Sequence, residues 1–242
     1  MAVSTMGIID DVAKILNDTE FDYWKVEDHL AALNAGMTAL VILKPDATAT
    51  AKEYQLSEGS RQSLPDGSAL FTDAQGATLP KATKLVRVIR NMGTDGLTPG
   101  RAVAIIDMDL LNAVRPDWHN STPNAEAKHF MYDEKAPKLF WVYPPQPAAN
   151  QGFVEVIYNA IPTPVTRYAT DEYITLSDEY REALTYFVLF KAYSRDTDSA
   201  NANKALQYYD AFKVALGLHQ GGETNEDPNY KDTEASPSYE RR

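Results

Sequence analysis

The residue types best suited to bind a metal ion gather in one segment near the middle of the chain. Two histidines and three carboxylates lie close together in sequence there: Asp117, His119, His129, Asp133 and Glu134. Imidazole and carboxylate groups are common ligands of zinc and other transition metals. Their spacing matches no standard ligand motif. We therefore interpret them as turn and sheet-surface groups, and we predict neither a metal nor another cofactor.

Pairs of carboxylates could support two further chemistries. Asp107 and Asp109 form a D-x-D pair, which can hold a divalent cation, but a strand is expected to end and a helix to begin there, so N-capping explains the pair better. Asp133, Glu134 and Glu155 could supply the two carboxylates of a glycosidase. Because the chain has 34 acidic residues, such pairs arise without a function. We predict that the protein is not an enzyme.

Other catalytic and ligand-binding patterns give no stronger signal. Gly93, Gly96 and Gly100 do not fit G-x-G-x-x-G, and the sequence contains no P-loop and no G-x-S-x-G elbow. We interpret these glycines as turn residues that join strands. Aromatic residues that could stack on sugars are more often core and cross-strand pairs; they are Trp118, Phe130, Tyr132, Phe140, Trp141 and Tyr143.

Composition restricts the classes of partner. The net charge is -11, from 34 acidic and 23 basic residues, which argues against tight binding of nucleic-acid phosphates but suits a surface past which DNA slides. The absence of cysteine excludes disulfides and thiolate catalysis. The N-terminus lacks the pattern of a secretory signal, and the longest apolar run, residues 37–43, is shorter than the roughly 20 residues of a membrane span. We predict no membrane contact.

Both ends of the chain show helical spacing. Helices are predicted over residues 7–16 and 24–43, the second stopped by Pro45. Residues 176–217 predict two helices joined by a polar turn at 195–198, with Ser177 as N-cap and Gly217 at the C′ position. Apolar stripes define the buried faces of these last two helices: Tyr180, Ala183, Leu184 and Phe187 on the first, and Ala202, Ala205, Leu206, Tyr209, Phe212 and Leu216 on the second.

Alternating patterns replace helical spacing in the middle of the chain. Strands are predicted over residues 84–92, 101–106, 128–132, 138–143 and 153–158, with a short helix over 107–114. We therefore predict an α+β fold. Residues 1–47 and 176–217 form one helical bundle, residues 48–175 form an inserted antiparallel β-rich domain, and residues 218–242 form an extended C-terminal tail that cannot bury enough apolar surface to fold alone.

The last two helices and the tail are the predicted contact region. Their tyrosines and arginines are the residue types that most often carry binding energy at an interface. We also expect the tail to become ordered only on a partner. The candidate contacts to a partner or a neighbouring subunit are Arg181, Tyr186, Tyr193, Arg195, Tyr208, Tyr230, Tyr239, Arg241 and Arg242.

Several local strings, taken in order, resemble those of tailed-phage head-to-tail adaptor (connector) proteins, found mostly in short-tailed phages of the podovirus type. The similarity extends over nearly the whole chain up to Gly217, and no single string is diagnostic. The strings are Trp24 followed by HLAALNAGMTALVILKPDA, LPDG at 64–67, RNMGTDG at 90–96, GRAV at 100–103, RPDWH at 115–119, HFMYDEKAPKLFWVYPP at 129–145, VEVIYNAIPTP at 154–164 and LSDEYREALTYFVLFKAYSRD at 176–196.

The resemblance implies a structural protein of the virion, synthesised in the host cytoplasm and located at the head–tail junction. Its partners would be the portal protein, neighbouring copies in a ring (a dodecamer, by the resemblance) and a downstream tail or nozzle protein. DNA would pass through the channel without specific binding. The helical bundle would contact the portal and the neighbours, and the β part would face the tail.

Two other functions stay open from the residues alone. One is a virion-associated glycan hydrolase, and the other is a carbohydrate-binding module with helical flanks. Peptidoglycan zymography would favour the hydrolase, whereas glycan-array binding would favour the module.

Overall fold

Helices at both ends of the chain enclose a β region in sequence. The computed structural model describes residues 3–195 and 199–218, with the side chains of 199 and 200 excepted. Within these ranges the α-helices are α1 (Thr5–Leu16), α2 (Val26–Leu43), α3 (Met108–Val114), α4 (Arg181–Ser194) and α5 (Ser199–Ala215). Short 3₁₀ turns lie at Pro45–Thr48, Trp118–Asn120 and Asp178–Tyr180. The predicted α+β class is confirmed.

The first two helices begin and end where the sequence indicates. Ser4 caps α1 by accepting a hydrogen bond from the Gly7 amide at 3.1 Å, and Asn17 ends the helix in the left-handed conformation. Pro45 follows α2 and starts a 3₁₀ turn. By length and mean hydropathy (1.2 over 18 residues) α2 could cross a membrane, but 39% of it is buried inside the protein. The inward side of α2 is therefore explained by packing in a protein core.

The helical core gathers apolar side chains from α1, α2, α4 and α5. We call these four helices the helical region. The helix α4 is the element against which the other three pack, and Phe187 contacts Phe190 and Phe212 with ring centroids 5.6 and 5.1 Å apart. Gly36 on α2 lets the backbone approach closely, because a Cβ there would lie 3.0 Å from the Phe187 ring. The predicted stripe on α4 is buried in full: Tyr180, Ala183, Leu184 and Phe187.

Some helical details differ from the prediction. Ser177 precedes the 3₁₀ turn with no side-chain cap bond, and α4 begins only at Arg181. Ala202 is exposed and Leu206 is 61% exposed, so their places in the buried stripe of α5 are wrong; Ala205, Phe212 and Leu216 form the buried face instead. Gly217 has φ +76°, as the C′ position requires. The predicted turn at 195–198 lies largely outside the described residues.

Two sheets make up the β region, residues 48–175. The strands are β1 (Ala49–Gln55), β2 (Gly59–Ser63), β3 (Ala82–Asn91), β4 (Ala104–Ile105), β5 (His129–Tyr132), β6 (Leu139–Gln146) and β7 (Phe153–Ala160). One sheet has the order β1-β7-β3, and the other has the order β2-β6-β5-β4. Their inward faces share one core, which includes Tyr54, Val88, Phe140, Val156 and Tyr158.

Three features of the β region correct the sequence reading. The strands β1 and β2 were missed, because both are polar sequences with only one strongly buried position each. The strand expected over residues 101–106 is only two residues long. It pairs parallel with β5, Ala104 opposite His129, so the purely antiparallel prediction is wrong at this edge.

Candidate interaction surface

Three of the predicted contact tyrosines form one row on the hairpin of α4 and α5. The rings of Tyr193 and Tyr208 are stacked, with centroids 5.5 Å apart and an angle of 9° between planes. Tyr186 lies 6.2 Å from Tyr208, and the Lys204 ammonium sits 5.4 Å from the Tyr193 centroid. All three tyrosines are half-buried. We call them the tyrosine row: ring stacking limits their rotamers while leaving one side of each open for contact.

Two hydroxyl groups of this row have a raised pKa. Tyr186 donates a hydrogen bond to Glu182 at 2.5 Å, and this bond is the main reason that its pKa is raised. Burial raises the pKa of Tyr208, and the neighbouring Tyr193 adds to the effect. Tyr208 can therefore donate a hydrogen bond to a partner, whereas the hydroxyl hydrogen of Tyr186 is already engaged with Glu182.

The two predicted contact arginines of the described chain are both engaged within the protein. Arg181 lies 2.7 Å from Asp11 and ties the start of α4 to α1. Arg195 lies 2.6 Å from Asp28 at the start of α2, and its guanidinium is 5.4 Å from the Trp24 ring centroid. Both side chains remain about half exposed. The two arginines hold helices together through these ion pairs. A contact with a partner would use the same guanidinium groups.

A groove of about 420 Å³ separates the first half of α2 from the last half of α4. Its apolar wall is made of small side chains, Ala31, Ala32, Ala35, Val188 and Ala192, and Lys191 flanks it. Trp24 and the Asp28–Arg195 ion pair close one end. We call it the α2–α4 groove. The alanines create it, because larger residues at these positions would fill the space between the helices.

His29 lines this groove and has an unsatisfied polar atom. The residue is 2% exposed, and its buried Nε2 has no hydrogen-bond partner among the described residues. Burial lowers the pKa of His29, and the carboxylates of Asp18 and Asp28 oppose that effect. A buried polar atom without a partner costs free energy, and a hydrogen bond from an incoming group would recover it.

The loop before α2 places Trp24 at the groove. The Asp18 carboxylate accepts hydrogen bonds from the backbone amides of Asp22, Tyr23 and Trp24 at 2.9, 3.1 and 2.7 Å. These bonds, led by that of Trp24, hold the pKa of Asp18 below its ordinary value. Sequence reasoning missed the roles of Asp18, Trp24 and His29. The available signal was the uncharged run from His29 to Leu43, which is longer than one buried helix face requires.

The histidines considered as metal ligands have other neighbours. His119 Nδ1 lies 3.0 Å from the Ser60 hydroxyl, and its ring lies against Trp118. The His129 ring stacks on Tyr143. In the part of the chain that the structure describes, no three His, Cys, Asp or Glu side chains are grouped so that they could hold a metal ion.

The carboxylates considered for catalysis also have local contacts. Asp107 caps α3 by accepting hydrogen bonds from the amides of Asp109 and Leu110 at 2.7 and 3.1 Å, which confirms the N-cap interpretation. Glu155 lies 2.6 Å from Arg90 on the neighbouring strand. Asp133 accepts from the Lys135 amide in a turn. Glu134 is exposed beside Asp133 in the same turn.

In the β region, two of the glycines interpreted as turn residues and the aromatic residues interpreted as core residues lie as predicted. Gly93 and Gly96 have φ +65° and +73°, as turn glycines do. Trp118, Phe130 and Phe140 are buried core residues. Tyr132, Trp141 and Tyr143 are half-buried and pack against these cores.

A second cleft, of about 450 Å³, lies where the β region meets the helical region. Threonines and one lysine contribute much of its lining, among them Thr50, Lys52, Thr163 and Thr175. It contains none of the predicted contact residues. Tyr230, Tyr239, Arg241 and Arg242, together with the predicted tail, lie outside the described residues.

Residues 6–232 match the model of a family described as SU10 adaptor protein. No curated protein matches the sequence.

Proposed function

The chain belongs to the SU10 adaptor protein family, a family of phage head-to-tail adaptors, and from this premise we propose that it forms a ring beneath the portal of a phage virion. The ring continues the DNA channel and provides a platform for the tail. The protein is a structural component of the head–tail junction, and it acts by docking rather than by catalysis.

The observation that carries this proposal is the extent of the family match. Residues 6–232 include all four helices of the helical region and both sheets. The similarity to the family therefore extends over both the helical region and the β region, and is not limited to one domain that could also occur in unrelated proteins. We further propose that the chain divides into a bundle of residues 1–47 and 176–217, a β insert of residues 48–175 and a tail of residues 218–242.

The two regions suit different tasks in such a ring. The helical region carries the tyrosine row and the α2–α4 groove, which suit contact with the portal and with neighbouring copies. The β region faces the next tail or nozzle protein in this arrangement. A net charge of -11 repels phosphates and lets DNA pass without being bound.

The same charge bears on assembly. Copies that each carry -11 repel one another at a distance, so the free chain is monomeric at modest salt and the ring forms on the portal as a template. The C-terminal tail, by its composition, orders on the portal or on a neighbour during that step.

Electron microscopy with the cognate portal protein tests the function. The purified chain is mixed with portal, and a ring attached to one face of the portal is the expected result. The double variant Tyr193→Ala/Tyr208→Ala should bind portal less tightly, whereas Tyr173→Ala, which changes an exposed tyrosine of the β region, should bind as the wild type does. Failure of the wild-type chain to attach, combined with clearing of peptidoglycan in a zymogram or binding on a glycan array, would replace the adaptor by the hydrolase or the carbohydrate module.

A further inference from the structure

The helix α5 carries an apolar row on its outer side, away from the core. Leu206 and Val214 are 61% and 57% exposed, and Asp210 lies between them at four-residue spacing. Residues four apart lie on one side of a helix, so the three form a continuous row. We call it the α5 row. Nothing in the described part of the chain packs over Leu206 and Val214. A row of exposed aliphatic side chains on one side of a helix is a candidate contact surface.

The α2–α4 groove is complementary to this row in shape and in polarity. Its alanines leave space for branched side chains such as leucine and valine. The outward side of α2 is uncharged beyond Asp28, with Ala31, Ala35, Thr38 and Ile42 exposed along it. A helix surface of this length without charge is unusual next to water and typical of a contact surface.

Charge complementarity selects the partner. Lys191 flanks the groove and pairs with no carboxylate in the described part of the chain; its ammonium lies over the rings of Phe187 and Phe190. Asp210 stands in the middle of the α5 row, 2.7 Å from Lys213 on its own helix. A row seated in the groove would bring Asp210 toward Lys191.

We propose that the α5 row of one copy docks in the α2–α4 groove of the next copy. The inference rests on the proposed ring and names the surfaces that build it. Two different surfaces on one chain make a heterologous contact, which is the kind that repeats around a closed ring. The tyrosine row lies on another side of α5 and stays free for the portal.

Charge reversal tests the pairing. Lys191→Glu alone and Asp210→Lys alone should each weaken self-association and ring formation on the portal, by roughly fivefold, since each places like charges opposite one another. The double variant in one chain should recover most of the loss. A mixture of the two single variants should also recover it, because every contact in an alternating ring would again join opposite charges. Lys135→Glu makes the same change in an exposed turn of the β region and should have no effect.

The rescue separates this contact from a structural role within one chain. In the mixture neither chain carries both changes, so recovery there must come from a contact between two copies. If each single variant formed rings as well as the wild type does, the proposed pairing would be wrong, but the proposed ring would stand. A wild-type chain that forms no ring with portal would overturn the proposed function and the pairing together.

Disulfide cross-linking gives a second measurement. The chain has no cysteine, so Ala35→Cys and Leu206→Cys each introduce a single thiol. An equal mixture assembled on portal and oxidised should give mainly a heterodimer of the two variants. Leu97→Cys, equally exposed in the β region, replaces Leu206→Cys as the control and should give several-fold less product. Equal yields would overturn the pairing.

Discussion

The helical region and the β region are held together in different ways. The helical core joins the two ends of the chain: the Thr5 amide donates to the Glu172 carbonyl at 2.8 Å, and Asn34 on α2 exchanges two hydrogen bonds of 2.9 Å with the backbone of Val165. The β core is formed within residues 54–160 and is supported by backbone ladders between strands. Both regions bury an apolar core, but the helical core packs segments that are far apart in sequence, whereas the β core is also held by ladders of backbone hydrogen bonds between strands.

Buried amide side chains show the same contrast. In the β region Asn91 donates to the carbonyls of Arg101 and Ala127 and accepts from the Ala127 amide, all within 2.9 Å. Gln146 likewise joins Asn124 to Gly152. Few polar side chains are buried in the interior of the helical region, and its outside includes uncharged surfaces such as the outward side of α2. Buried amide side chains therefore fix loops of the β region, whereas in the helical region the outward side of α2 is an uncharged surface that a partner could cover.

The largest expected effect is the loss of the central aromatic residue of the helical core. Phe187→Ala removes a ring that is 5% exposed and packed between α2 and α5. The free energy of unfolding should fall by about 3–5 kcal/mol, measured by chemical denaturation. Leu206→Ala, an equally apolar residue on the outer side of α5, should change it by less than about 0.5 kcal/mol. An unchanged midpoint for Phe187→Ala would show that the helical region does not depend on this packing.

The next effect concerns the hydrogen-bonded interior of the β region. Asn91→Ala leaves the Ala127 amide and carbonyl buried without these partners, whereas the Arg101 carbonyl keeps the bond from the backbone amide of residue 91. The expected loss is about 2–4 kcal/mol in unfolding free energy. Hydrogen exchange should show the loss of protection concentrated around β3 and residues 101–127. Exchange that rises equally in α2 and α4 would mean that the two regions unfold as one unit.

The matched change in the helical region should cost less. Asn34→Ala removes the two bonds to Val165, which lie in a partly exposed position where water can replace them. We expect a loss of about 1–2 kcal/mol by the same denaturation measurement. A loss as large as that of Asn91→Ala would contradict the contrast between a packed and a hydrogen-bonded region.

The smallest effect is a dependence on pH that belongs to the helical region. Burial holds the folded pKa of His29 below its ordinary 6.5. Between that lower value and pH 6.5 the unfolded chain binds a proton that the folded chain does not, so stability falls as the pH drops through this range. Melting temperatures at about pH 7.5 and pH 5.5 should differ more for the wild type than for His29→Gln. Identical differences would mean that His29 is protonated equally in both states.

The local features of this chain could be read from its residues. The bounds of α1 and α2 followed from caps and from Pro45, and the buried stripe of α4 followed from three- and four-residue spacing. The N-cap at Asp107 was also found from sequence, because such features depend on residues within one turn of each other. The family was recognised from the order of short strings, and the match over residues 6–232 confirms it.

Features set by distant partners could not be read in this way. The strands β1 and β2 carry little alternation because one side of each is exposed, and β4 pairs parallel only because β5 lies beside it. Leu206 has the spacing of a core residue, yet the way α5 turns against α4 directs it outward.

What the sequence determined by itself is therefore the class of fold, the helix ends, the acidic charge and the family. Only the tertiary structure decided that Trp24, His29 and Arg195 meet at one groove and that α5 carries an exposed apolar row. The physical reason is the distance along the sequence between the residues that interact. Caps, turns and stripes are local, whereas a groove exists only once helices from opposite ends of the chain have packed around α4.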